Sequence, residues 1–336
     1  RQLNWNTLTP PNFPIGASSR ELGMNSNRVG YMPHVGVMKE EISSLLKDVP
    51  EGYFIDATYG DGSHFEFIDL EKKFTAIGFD RDYDSIANKK NNHNVIQLNF
   101  SEIQDYLEKN SFTPISGILY DLGVSSHQID TPSRGFSYSI NSDLDMRMNQ
   151  QESLTAENIL NSFSYKELKL VFQNYGEERY SSSIAKKIVD NRPIYKTKDL
   201  VKLIKDALPK QNPIYIEKSI RRIFQAIRIQ VNDELDELKK SLTSIKDVIS
   251  KNGVIVCISY HSLEDKIVKN FMNELTIGCT CDPSIAICVC NNVESFKFPN
   301  KKKYYPSNKE IETNSRAKSA TLRYVIKLWE KNIFFV

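Results

Sequence analysis

At 336 residues, with 40% apolar and 26% charged side chains, the chain has the length and composition of one large α/β domain carrying an insertion, or of two domains. Its apolar runs all fall short of the ~20 residues a membrane-spanning helix needs, so it reads as a soluble chain without a membrane partner. A balance of 44 Lys and Arg against 42 Asp and Glu leaves +2, which excludes a generally basic surface and confines any nucleic-acid contact to local patches.

Residues 1–33 are rich in Asn, Pro and Ser, carry Glu21 as their one acid and lack a periodic apolar face, the pattern of a flexible extension. Without an initiator Met the chain reads as a fragment or a processed form, and this acid-poor leader is compatible with an organelle transit remnant. The first buried strand, 53–55, ends at Asp56 and enters the turn DATYGDGSH, where Gly60 and Gly62 permit close backbone approach to a ligand. This is half of a dinucleotide fingerprint. Phe65 stands where the third glycine belongs, which argues against a pyrophosphate on the next helix and leaves a plain tight turn as the alternative. The second strand, 74–79, closes on Asp80, placed to accept hydrogen bonds from ribose hydroxyls, as in NAD and S-adenosylmethionine (SAM) enzymes, or to cap the next helix.

A third apolar run, 118–120, delivers Asp121 into a polar loop that extends to Ser137 with neither helical nor strand period. Ser125, Ser126 and Gln128 supply neutral donors and acceptors there. With no Lys or Arg up to Gln128, they suit an adenine edge or an exocyclic amine better than a phosphate. Amphipathic helices are then predicted at 156–162, 165–175, 180–191, 197–207 and 217–242. They make 140–215 an all-α insertion between two parts of a main domain, 34–139 and 216–336, with the last long helix rejoining the main domain.

A fourth run, 254–258, ends at Ser259 and opens the turn SYHSLED. No G-x-S-x-G elbow precedes a helix, which argues against a serine hydrolase; Ser262 reads as a helix cap with Asp265 in the capping-box position, and His261 as either packing or a wall of the site. Strands alternating with helices imply a parallel sheet whose four polar ends share one edge. Cys257 reads as a buried inert thiol, while Cys279, Cys281, Cys288 and Cys290 form two Cys-x-Cys pairs, tighter than the usual zinc knuckle, which leaves metal binding open. Basic patches occur at Arg221, Arg222 and Arg228, at the lysines 301–303, and at Arg316, Lys318 and Arg323.

The segments HVGVMKEEI, DATYGDGSH, GFDRD, DLGVSSHQID, RGFSY, LDMRM, YGEER, FQAIRIQVNDEL, SYHSLEDKIVK and NSRAKSATLR resemble, in order, the RsmH (MraW) family. These are SAM-dependent methyltransferases acting on N4 of a decoding-centre cytosine in small-subunit ribosomal RNA, and the resemblance runs from about His34 to Lys327. It implies an α/β, Rossmann-like class I methyltransferase with an inserted all-α domain. It places SAM contacts on Gly62, Ser63, His64, Asp80, Phe100, Asp121 and Gln128, of which Phe100 alone would otherwise read as core. The implied partner is small-subunit ribosomal RNA in an assembled or late-assembling subunit, with a homodimer left open and no metal required. The compartment is the cytoplasm for a bacterial protein, or a mitochondrial or plastid matrix.

The chain departs from the family pattern at Ser63, where Gly is usual, at His127, Gly36 and Ser315, where Pro is usual, and at Ser142-Asp143 in place of Gly-Pro. Ser63 narrows the cofactor turn if its φ is positive, and the missing prolines loosen loops. The cysteine segment resembles a variable loop found in many bacterial members.

Methyl transfer needs the acceptor nitrogen near ~3 Å from the methyl and in line with it, and a site that takes an amine proton. Asp121 and Ser126 are expected to orient the amine, with His261 and its loop as the opposing wall. Arg134, Arg147, Arg222, Arg228, Arg316 and Arg323 are the expected RNA backbone contacts. A NAD-dependent oxidoreductase, sharing Asp56, Gly60, Gly62 and Asp80, and a noncatalytic ribosome-assembly factor are the alternatives.

Overall fold

Apolar runs bounded by polar turns build one seven-stranded sheet in the computed structural model, which describes residues 36–209, 212–278, 280–281, 290 and 293–328. The 1–33 extension, Cys279 and Cys288 lie outside the described residues. After α1 (Lys39–Leu46) come β1 (Gly52–Asp56), α2 (Ser63–Asp69), β2 (Phe74–Asp80), α3 (Tyr83–Ala87), β3 (Val95–Gln97), α4 (Ile103–Lys109) and β4 (Ile115–Asp121). Next are α5 (Ser126–Asp130), α6 (Ala156–Ser162), α7 (Tyr165–Asn174), α8 (Ser181–Asp190), α9 (Thr197–Ala207) and α10 (Pro213–Asn232). The chain closes with α11 (Glu234–Ile245), β5 (Ile249–Ser259), α12 (Ser262–Leu275), β6 (Phe296–Lys297), α13 (Asn308–Thr313) and β7 (Thr321–Lys327).

The strand order is β3-β2-β1-β4-β5-β7-β6. The first five strands are parallel to their neighbours, and β7 runs antiparallel between β5 and β6. The order reverses between β1 and β4, so Asp56, Asp80, Asp121 and Ser259 all end on one edge, around the point where such sheets bind ligands. Side chains alternate between faces. Ile55, Ile77, Ile118 and Ile255 pack under α4, α11 and α12, whereas Phe54, Ala76, Leu119 and Val256 pack against α1 and α2. Cys257 is fully buried in the first of these layers, and burial pushes its thiol pKa up, as an inert core residue requires.

A third apolar cluster runs from Leu144 to Val231 through α6 to α10. Here the sequence pattern misleads at one point. The segment read as a single helix rejoining the main domain breaks at Asp233, whose φ is 50°. Up to that break α10 buries Ile220, Ile223, Phe224 and Ile227 in the helical cluster, and only α11 lays Leu238, Leu242 and Ile245 on the sheet. Both helices keep an apolar stripe, so periodicity alone does not register a one-residue break. The loosening expected at Ser142-Asp143 is opposed by Thr197, whose N–H donates to Ser142 O at 2.9 Å, and by Lys196, 2.7 Å from Asp143.

The loop after β4 is also less irregular than its sequence. Ser125 Oγ accepts from Gln128 N at 3.2 Å and Gln128 Oε1 accepts from Ser125 N at 3.0 Å, a capping box that starts α5. Gln128 Nε2 then donates to Asp82 at 2.8 Å. Arg134, 1% exposed, pairs with Asp82 at 2.8 Å and Asp84 at 2.6 Å and donates to the carbonyls of Arg147 and Met148. It ties the loop to α3 and is closed to RNA, contrary to the expectation from charge alone. Arg134→Met leaves the buried Asp82 without its counter-charge, and is expected to lower stability by about 3–5 kcal/mol in denaturant unfolding; an unchanged midpoint contradicts this role.

Candidate active site

At the strand reversal the sheet edge opens into a cleft of about 340 Å³, in the range of small-molecule sites. One wall is the turn after β1, where Gly60 and Gly62 have φ of 55° and 78°. Gly60 N donates to Asp80 Oδ2 at 2.7 Å, and Asp80 Oδ1 accepts from Asp82 N at 2.8 Å. The cap of α3 is Asp82, whose Oδ1 accepts from Asp84 N, so Asp80 is left to brace the glycine turn and face the cleft. A carboxylate has about four acceptor positions, and with the Ser85 hydroxyl also bound Asp80 keeps capacity for a ribose hydroxyl. Burial raises its pKa, with the N–H donors of Asp82 and Gly60 pulling the other way.

A Cβ on Gly62 would lie 2.6 Å from Tyr59 Oη, so this glycine is required. Ser63, by contrast, is the first residue of α2 and carries helical backbone, so the narrowing expected from it does not arise. Phe65, in the place of a third glycine, packs edge-on to Tyr59 with ring centroids 5.5 Å apart. Phe100 lines the cleft and meets Tyr120 edge-on at 6.0 Å, serving as both core and wall.

Asp121 is gripped from three segments. Its backbone N–H donates to Thr58 Oγ1 at 2.7 Å, its Oδ1 accepts from the Tyr260 hydroxyl at 2.7 Å, and its Oδ2 lies 3.4 Å from His64 Nδ1. The other His64 nitrogen, Nε2, donates to Val37 O at 2.9 Å. Both ring nitrogens therefore face acceptors, the arrangement of an imidazolium. Burial by itself pushes His64 down, but the hydrogen bond and charge of Asp121, with help from Asp56 and the Val37 carbonyl, raise its pKa to about 9. Burial raises Asp56 to about 7 against the pull of His64, and its Oδ2 has no hydrogen-bond partner among the described residues. Burial and the adjacent Asp121 carboxylate hold Tyr260 protonated far above its ordinary range.

Ser63, His64, Asp80, Phe100, Asp121, Ser126 and Gln128 line the cleft, whereas Gly62 is not part of its wall and instead leaves room for the Tyr59 ring. Gln128 is 4% exposed and spends its amide on the capping box and Asp82, so it shapes the wall by positioning α5. Ser126 Oγ accepts from Arg316, which also binds Asp130 at 2.8 Å.

His261 does not line the cleft. It, not Ser262, caps α12: Glu264 N donates to His261 Nδ1 at 3.4 Å, and Glu264 Oε2 accepts from the N–H groups of Tyr260 and His261. Asp265, expected in the capping box, pairs with Arg323 at 2.7 Å. The wall expected from His261 is supplied by Tyr260, which the sequence reading missed; nothing local marks a phenol whose partner lies 139 residues away.

Glu234, His261 and Glu264 gather as closely as metal ligands, but Arg228 already binds Glu234 through Nε at 2.7 Å and Nη2 at 2.8 Å. The other expected RNA contacts are likewise internal, Arg147 on Asp145, Arg222 on Glu178 and Arg323 on Asp265. Of the six arginines only Arg316 is exposed, at the cleft rim.

A parallel β3-β2-β1-β4-β5 sheet extended by an antiparallel β7, with an acid closing β2 beneath a glycine turn and a second acid at the end of β4, defines a Rossmann-like class I methyltransferase. Residues 31–328 match the MraW methylase family. A ribosomal RNA small subunit methyltransferase H of Halothermothrix orenii is 41% identical over 303 residues, covering 87% of this chain and 97% of the relative. Proteins of the same name from Caldicellulosiruptor saccharolyticus and Clostridium botulinum are 41% and 42% identical, each covering 88% of this chain and 99% of the relative. The solved structure of an rRNA methylase from Streptococcus thermophilus aligns over 86% of this chain and 95% of its own at 11% identity, with a TM-score of 0.37 that carries no argument. The chain belongs to the MraW methylase family and is a SAM-dependent methyltransferase.

The residues present fit that cofactor. Asp80 offers an acceptor to the ribose, Gly60 and Asp61 of the turn border the cleft with Gly60 carrying no side chain into it, and Phe100 offers an aromatic face to a base. Gly62→Ala combines left-handed strain of about 1–2 kcal/mol with the Tyr59 collision. It is expected to weaken SAM binding at least tenfold by calorimetry, whereas Ser63→Gly leaves it nearly unchanged; equal effects contradict the assignment of the turn.

Proposed function

We propose that this enzyme methylates the N4 amine of a cytosine in small-subunit ribosomal RNA, acting on an assembled or late-assembling subunit in the cytoplasm of a bacterium. The names of the bacterial relatives support the RNA, and no helix among the described residues is long and apolar enough to cross a membrane. The observation that carries the chemistry is the Asp121 carboxylate, held between the Tyr260 hydroxyl and the His64 ring at the cleft wall.

SAM supplies a methyl group on a cationic sulfur. Everything else falls to the chain. The cytosine amine lone pair is delocalised into its ring, and a carboxylate accepting one N–H draws that density back onto nitrogen. The amine gains the carbon that the sulfur gives up and passes one proton by way of the Asp121 carboxylate to solvent, so the product is neutral. With an imidazolium and a phenol holding it, Asp121 is a well-aimed acceptor whose main work is to orient the amine. Tyr260 is a positioning residue for Asp121, and His261 acts one step further back, through the Glu264 carboxylate that holds the Tyr260 N–H. Ser126, engaged by Arg316, has a rim role.

Mass mapping of small-subunit RNA treated with enzyme and labelled SAM is expected to place one methyl on a cytosine N4; label on C5, or on no RNA, overturns the product. At saturating SAM, Asp121→Asn is expected to lower kcat by at least about 100-fold. Full methylation by that variant with normal SAM affinity removes Asp121 from the reaction.

A further inference from the structure

We propose that the exposed basic strip between Lys301 and Lys318 is the docking surface for the RNA phosphate backbone that flanks the base entering the cleft, an inference that rests on RNA being the substrate. The internal ion pairs of Arg134, Arg147, Arg222, Arg228 and Arg323 remove those groups as phosphate ligands, so the positive surface must lie elsewhere. Between 293 and 320 seven Lys and Arg stand against three Glu, a balance of +4 that leaves the rest of the chain at −2. Lys297, Lys301, Lys302, Lys303, Lys309 and Lys318 are all exposed and make no ion pair among the described residues. Charge that a fold leaves unpaired and clustered on an otherwise slightly acidic molecule is the footprint of a polyanion.

The strip also lies in the right place. Asn314 and Arg316 line the cleft, and Arg316 is fastened to α5 at the rim through Asp130. Three residues after Lys318, Thr321 begins β7 opposite Ser259, the carboxyl end of β5. Tyr304 exchanges backbone hydrogen bonds with Leu322 at 2.8 and 3.0 Å, and Arg323 donates to the Lys302 carbonyl at 3.1 Å. The lysines 301–303 therefore run alongside the start of β7, which pairs with the carboxyl end of β5, while Lys297, opposite Ile326, lies at the other end of that strand. Tyr305 adds an aromatic surface, 56% exposed, with Lys303 Nζ 5.0 Å from its ring centroid. Lysines of this kind read phosphate and not sequence, and an exposed tyrosine stacks on any base, so the strip holds flanking RNA while the cleft selects the reacting nucleotide.

The test compares K301E/K302E/K303E with K198E/K202E/K205E, an equal charge reversal on exposed lysines of α9. Affinity for a small-subunit ribosomal RNA transcript is measured across a salt series, beside SAM affinity. The strip variant is expected to bind RNA at least about tenfold more weakly at low salt and to flatten the slope of log K against log salt by about two units, with SAM affinity unchanged. The control is expected to stay near wild type. An unchanged slope overturns the proposal, as does an equal loss in the α9 control, which reduces the effect to net charge. Because binding is read without turnover, a wild type that binds RNA but labels a different atom defeats the N4 assignment alone and leaves the strip standing.

Discussion

The Asp121 carboxylate is the point on which the site depends, because it joins three segments that the chain brings together only by folding. Thr58 follows β1, His64 lies in the first turn of α2, and Tyr260 follows β5; Thr58 accepts the Asp121 N–H, Tyr260 donates to its carboxylate, and His64 sets a ring nitrogen beside it. The sheet register makes this meeting possible. Leu119 pairs with Asp56, and Asp121 follows two residues later on β4 opposite Ile258, so both acids lie on the same face of the sheet at its carboxyl edge, Asp121 one step further out. A slip of one residue in β4 would turn Asp121 to the opposite face and present Tyr120, now buried against Ser241, to the cleft.

Charge is arranged around that point in shells. Nearest are one imidazolium and two acids, of which Asp56 is the more buried and holds its proton up to about pH 7. Asp121 is the acid that faces the cleft. Next to this set, the Asp82, Asp84, Gln128 and Arg134 network fixes α5, and the Glu264 bonds to Tyr260 and His261 fix the wall opposite. These buried pairs cost desolvation and return little net stability, so their value lies in holding one geometry. The outer surface reverses the pattern, with exposed lysines left without ion pairs among the described residues in the segment that leads to Arg316 at the cleft rim.

The strand ends were legible because the chain marks them twice, first by an apolar run and then by an acid or serine that cannot continue it, as at Asp56, Asp80, Asp121 and Ser259. β7 was not, since Arg323 and Lys327 interrupt its apolar alternation and are buried through partners elsewhere, Asp265 and the Lys246 carbonyl. The same blindness explains the arginines. A basic residue in sequence carries no sign of whether Glu178 or Glu234 lies across from it, and RNA contact and internal ion pair look identical. At SYHSLED the spacing S-x-x-D at 262 and 265 competed with H-x-x-E at 261 and 264, and the fold selected the second because Glu264 also collects the Tyr260 N–H. The break at Asp233 was hidden by an unbroken apolar stripe.

The central claim is that Asp121 is a carboxylate held by a protonated His64. Nitrogen NMR of the His64 ring measures this directly. The account predicts an imidazolium through neutral pH that loses its proton near about pH 9, and a clear fall in that midpoint in Asp121→Asn, where the hydrogen bond and charge that raise it are gone. A neutral His64 ring at neutral pH, or a midpoint indifferent to Asp121→Asn, would contradict it.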